Sequence, residues 1–130
     1  MIVDTSAPIA ILAAESERAA FTEAILHANQ AAMSAANYLE TAIVIDRYNE
    51  PALSRLLDKL VGQLRIAVVD VTAATAQLAR QAYRDYGRGS GHPAQLNFGD
   101  CFAYAQAKSI GEPLLFKGND FVHTDVRSAA

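Results

Sequence analysis

Four short apolar runs alternate with longer segments whose apolar residues recur every three or four positions. Ile2 and Val3 close on Asp4 and predict a short buried strand over residues 1–4. Ser6 can cap a helix running to about Ala14, with Pro8 tolerated in its first turn. Ala20, Phe21, Ala24, Ile25 and Ala28 form a helical stripe across residues 16–28. Residues 31–35 suit a short strand. Asn37 to about Tyr48 reads as a helix rich in Leu39, Ala42, Ile43 and Ile45. Pro51 opens another helix, with Leu53, Leu56, Leu57, Leu60 and Leu64 on one face. The clearest strand is 65–71, where Ile66, Val68, Val69 and Val71 are nearly continuous. Thr72 can cap a helix over 73–86, and the Gly-rich residues 87–95 form a loop. Asn97 starts a helix ending near Gly111, and Pro113 leads into a strand at 114–116. Val126 is expected in one last strand.

Short apolar strands alternating with helices imply an α/β fold with a short parallel sheet of four or five strands, covered on both faces. The 130 residues suit one domain, 1–130. In such sheets ligands gather at the carboxyl ends of the strands. That rule singles out particular acids.

Composition narrows the class. Hydrophobic residues are 52% and charged residues 19%, enough for a packed core and too little charge for wholesale disorder. The single cysteine, Cys101, excludes an intramolecular disulfide and a Cys-based metal cluster, and points to a reducing compartment, the cytoplasm. No basic segment precedes an apolar stretch, so no secretory signal is expected. No apolar run approaches the roughly 20 residues that span a bilayer. The net charge of −3 argues against a nucleic-acid partner at first sight. Yet residues 1–50 hold seven acids and two bases, whereas residues 51–130 hold seven acids and nine bases. The halves differ in sign.

The acids fall in a pattern. Asp4 follows the first strand, Glu40 lies on the helix after the second, Asp100 on the helix before the fourth, and Asp120 just after the fourth. Asp125 lies close to Asp120 in sequence and competes with it for that place. Each has a structural reading as well. Asp4 and Asp120 suit turns. Glu40 can complete a capping box with Asn37, and Asp100 with Asn97. A capping role and a ligand role are compatible, because a helix N-terminus favours an anion. Adjacent strands would bring all four acids together, where they repel unless a cation neutralises them. Oxygen ligands without a Cys or His cluster favour Mg2+ or Mn2+.

Four blocks carry a resemblance: Asp4-Thr5-Ser6 after an Ile-Val strand; Ser34 to Ala42; Leu96-Asn97-Phe98-Gly99-Asp100-Cys101-Phe102-Ala103-Tyr104-Ala105; and Pro113 to Phe121. In this order, over essentially the whole chain, they closely resemble the VapC toxins of the PIN-domain family. The resemblance implies a three-layer α/β/α PIN domain and a metal-dependent endoribonuclease inhibited by a VapB-type antitoxin. It implies a homodimer within a larger toxin–antitoxin complex, and one or two ions activating water against an RNA phosphodiester. Asp4, Glu40 and Asp100 fall on the best-defined acidic positions and Asp120 near the more variable fourth. Many relatives carry a further acid two residues before that last one, where this chain has Gly118. Ser6 matches a hydroxyl residue supporting the first acid, and Asn97 a polar residue beside the site.

Arg80, Arg84 and Arg88 recur four apart, and with Lys117 they could track an RNA backbone; a solvated helix face is the plainer alternative. Tyr83, Tyr86 and Phe98 could stack on bases or fill core. The glycines at 87, 89 and 91 follow a helix and make no dinucleotide fingerprint. His27, His92 and His123 lack metal-ligand spacing. Cys101 reads as a small buried hydrophobe. Two other classes stand beside the nuclease: a silent PIN-like interaction module, and a phosphoacceptor domain using Asp70 and Lys117. The second leaves Glu40 and Asp100 unexplained.

Overall fold

A computed structural model describes residues 1–130 and shows ten elements. They are β1 (Ile2–Val3), α1 (Ser6–Leu12), α2 (Arg18–His27), β2 (Ala31–Ser34), α3 (Ala35–Asp46), α4 (Pro51–Gln63), β3 (Ile66–Val69), α5 (Ala73–Tyr86), α6 (Phe98–Ile110) and β4 (Leu114–Leu115). The strands form one parallel sheet in the order β3-β2-β1-β4.

Strand side chains alternate between faces, and two apolar layers use that alternation. Ile2, Ala32 and Leu114 pack with Ala79, Ala82, Leu96, Ala103 and Tyr104 beneath α5 and α6. Val3, Ala31, Met33, Ile66 and Leu115 pack with Ala7, Ile11, Phe21, Ile25 and Leu64 beneath α1, α2 and α4. The result is the expected three-layer α/β/α architecture. β3 departs from expectation. It is an edge strand, so Ala67 and Val68 stay exposed in a run that reads as fully buried.

Pairing at the fourth strand does not stop at β4. The chain returns, and Leu114 and Ser128 form an isolated parallel bridge, with Leu114 N donating to Arg127 O and Ala129 N to Leu114 O. The expected last strand at Val126 is thus displaced by two residues, and Val126 itself packs on the α5–α6 layer. No helix is long and apolar enough to cross a membrane.

The strand order determines where a ligand can sit. From β1 the chain moves outward through β2 to β3, then returns to place β4 on the other side of β1. The crevice at that reversal opens beyond the carboxyl ends of β1 and β4. Asp4 follows β1 directly there. Asp70 follows the edge strand β3, with β2 between it and β1, which removes it from the crevice.

Candidate metal and RNA site

Asp4 is held by the sheet and by one serine. Its N–H donates to Leu115 O at 2.9 Å, which fixes its height against β4. Its Oδ2 accepts from Ser6 N at 3.0 Å and Ser6 Oγ at 2.6 Å. Ser6 was expected as a helix cap, but Thr5 occupies the cap position of α1 and makes no side-chain cap bond. Ser6 Oγ instead joins two strand ends, because it also accepts from Lys117 N at 2.9 Å. Asp4 Oδ1 is buried and has no partner. Burial pushes the Asp4 carboxyl above its ordinary range; the Ser6 bonds oppose this and the charge of Glu40 adds to it.

Glu40 is freed from the capping role expected of it. β2 runs straight into α3, and extended Ser34 takes the cap, accepting from Ala36 N at 3.3 Å. That places Asn37 one turn inside α3, where it is fully buried. Its Nδ2 donates to Thr5 Oγ1 at 3.2 Å and to Gly99 O at 3.0 Å. One amide therefore ties the end of β1 to the start of α6. Glu40 lies three residues on, on the same face of α3. Its carboxylate rests against Gly99, where any Cβ would collide with it.

Asp100 takes the capping role its position allowed and still lies in the acidic crevice. It forms a capping box with Asn97: Asp100 N donates to Asn97 Oδ1 at 2.8 Å, and Asn97 N donates to Asp100 Oδ2 at 2.9 Å. Burial nevertheless drives its carboxyl up from 3.8 to about 7, and the charges of Asp4, Asp120 and Glu40 add to that push against the Asn97 bond. The charges of Asp4, Glu40 and Asp120, from three other segments, thus all bear on Asp100.

The chain matches the PIN domain family over residues 1–127. It belongs to the PIN-domain family. Ribonuclease VapC28 of Mycobacterium tuberculosis is 55% identical over 129 residues, covering 99% of this chain and 97% of that protein. Ribonuclease VapC42 of the same species is 52% identical, covering 99% and 98%. Among solved structures, M. tuberculosis VapC20, a sarcin–ricin loop cleaving toxin, superposes with a TM-score of 0.73 at 18% identity, covering 96% of this chain and 95% of that one. A toxin–antitoxin complex from Klebsiella pneumoniae gives a TM-score of 0.67 at 17% identity, covering 92% and 88%. These two share the fold. The chain is a VapC-type PIN domain of the ribonuclease class.

In this PIN domain the two candidates for the fourth acid separate. Asp120 is exposed and its charge reaches Asp100. Asp125 is engaged elsewhere: it accepts from Tyr104 OH at 2.6 Å and Lys108 Nζ at 2.9 Å, which holds the returning tail against α6. Lys117 is also engaged, because its ammonium pairs with Glu15 and Glu17. A phosphate would have to compete with both. Arg80, Arg84 and Arg88 are exposed. Cys101 is buried in the α5–α6 layer, where burial and the Asp100 charge push its thiol up to about 11 and keep it protonated.

The donor set fits a hard divalent cation. It is all oxygen, one buried carboxylate oxygen is orphaned, and burial, reinforced by the charges of Asp4, Asp120 and Glu40, raises Asp100. No three His, Cys, Asp or Glu side chains close around a single point. Mg2+ keeps several of its waters and needs only one or two direct carboxylate ligands, so it does not require three acids to converge. Asn37 and Gly99 shape the site's geometry in a way that sequence reasoning missed. Their signal was weak, since Asn37 mimicked a cap and Gly99 an ordinary helix residue.

Proposed function

We propose that the chain hydrolyses RNA phosphodiester bonds with Mg2+ or Mn2+ held by Asp4, Glu40, Asp100 and Asp120. The observation that carries this reading is the buried, partnerless Oδ1 of Asp4 in the crevice where Asp100 is driven to about 7. When bound, such a cation polarises the phosphoryl group and makes water a better nucleophile at neutral pH. The protein's own part is positioning. Ser6 orients Asp4, Asn97 orients Asp100, and Asn37 holds the ends of β1 and α6 at a set distance. Exposed Arg80, Arg84 and Arg88 offset the acids for a polyanionic substrate.

A VapB-type antitoxin, homodimerisation and a cytoplasmic location belong to the same reading. Exposed Leu39 and Ile43 on α3 and Leu56 on α4 supply apolar surface for such partners. Cleavage of cellular RNA by the purified protein, followed by sequencing of the new ends, tests the enzymatic part. Cleavage should need Mg2+ or Mn2+, stop with a chelator and be absent from Asp100→Asn. Equal cleavage by Asp100→Asn would overturn the reading.

A further inference from the structure

Beside the acids, between α5 and α6, lies a cleft of about 730 Å3 that the metal site does not use. Arg80 and Tyr83 of α5, Arg88 of the following loop, Asn97 at the cap of α6, and Phe98 and Phe102 of α6 line it. Asn97 also holds Asp100, so the cleft and the acids share a wall. Phe98 is 79% exposed, although it stands only two residues from Asp100. Its sole ring partner is Phe102, edge-on at 4.9 Å, so the two rings do not cover each other. A large aromatic left in water beside a catalytic crevice is costly unless something covers it.

The cleft is also cationic. The ion pairs of the molecule involve only the N-terminus, Lys108 and Lys117, which leaves the guanidinium groups of Arg80 and Arg88 without acid partners. The backbone of Arg88 is held at the cleft, since Tyr83 OH donates to Arg88 O at 2.9 Å. The Tyr83 ring lies against Gly87, where a Cβ would collide with it. A purely apolar protein surface would leave both arginines unanswered. A single-stranded nucleic acid answers both features at once, with a base face for the aromatic ring and phosphates for the arginines.

We propose that this cleft is a nucleotide subsite, in which Phe98 stacks on a base flanking the cleaved bond of single-stranded RNA and Arg80 and Arg88 hold its phosphates. The proposal rests on the ribonuclease reading and adds where the substrate lies. It also excludes a continuous duplex at this position, because paired bases offer no free face.

The test uses RNA oligonucleotides of one cleaved sequence, with a single abasic nucleotide walked across the cleavage point. Wild type should lose about tenfold in kcat/KM when the base at one flanking position is missing. Phe98→Ala should lose a similar factor on intact RNA and be indifferent to the abasic nucleotide at that same position. Phe98→Tyr should recover the loss. The Mn2+-induced rise in melting temperature should be the same in all three proteins, which shows that fold and acids are intact. Unchanged kinetics in Phe98→Ala would overturn the subsite, as would abasic and Phe98→Ala penalties that multiply at every position. Multiplying penalties with an altered oligomeric state would assign the cleft to a protein partner instead. Wild type that cleaves no RNA in Mn2+ defeats the ribonuclease reading itself, whereas active wild type with an indifferent Phe98→Ala defeats the subsite alone.

Discussion

Asp100 carries two duties that pull its carboxyl in opposite directions. As a cap partner it accepts from Asn97 N–H, which favours the anion; buried among acids, it is driven up to about 7. A folded pKa above the unfolded value of 3.8 means that the metal-free fold loses stability as pH rises from about 4 to 7, with the full cost present above 7. The cost is on the order of a few kcal/mol. Asp100→Asn keeps an oxygen for the Asn97 bond and removes the charge. It should therefore melt higher than metal-free wild type at alkaline pH, with the gap closing toward pH 5, while cleaving no RNA. Thermal melts across that range decide it, and a lower-melting variant at pH 8 would sink the idea. Asn37 acts differently, as a buried tie between Thr5 and Gly99. Asn37→Ala should cost about 1–3 kcal/mol in denaturant unfolding, because it removes two buried hydrogen bonds, to Thr5 Oγ1 and to Gly99 O.

At the scale of elements, the first turn of α6 is where stability and function part. Gly99 stands at a helical position that alanine would favour by about 1 kcal/mol. Its missing Cβ is what lets the Glu40 carboxylate lie against α6. Gly99→Ala should therefore melt no lower than wild type yet bind Mn2+ about tenfold more weakly, since the carboxylate must move aside. Calorimetric titration beside a thermal melt checks this, and unchanged Mn2+ affinity would show that Glu40 is not a ligand. The start of α3 is equally decisive. Had Asn37 capped it, Glu40 would have been spent on the cap. Ser34, the last residue of β2, caps it instead and turns the Asn37–Glu40 face toward α6.

For the whole molecule, the proposed metal site would make cation binding a folding term. A ligand that binds only the folded state adds about 2.7 kcal/mol at one hundred times its Kd. Mn2+ should raise the wild-type melting temperature more at pH 8 than at pH 6, where protons compete for Asp100, and a chelator should reverse it. An equal rise in Asp100→Asn would exclude this acid as a ligand. Much of this fold is legible from local pattern. The 2-residue alternation of Ile2–Val3 and Leu114–Leu115, and the capping boxes begun by Thr72 and Asn97, depend on neighbours within one turn or one strand. Sequence alone therefore determined most of the elements, their order, a sheet covered on both faces, and the candidate acids Asp4, Glu40 and Asp100, with the fourth left between Asp120 and Asp125. What it could not determine depends on partners distant along the chain. The tie of Asn37 to Gly99 spans 62 residues, and the hold of Glu15 on Lys117 spans 102. Tertiary structure alone separated Asp120 from Asp125, through Tyr104 and Lys108. It alone left Phe98 and two arginines open beside the acids. It placed Asp4 at the reversal of strand order, because sheet order is set by non-local pairing and no local pattern encodes which strand lies next to which.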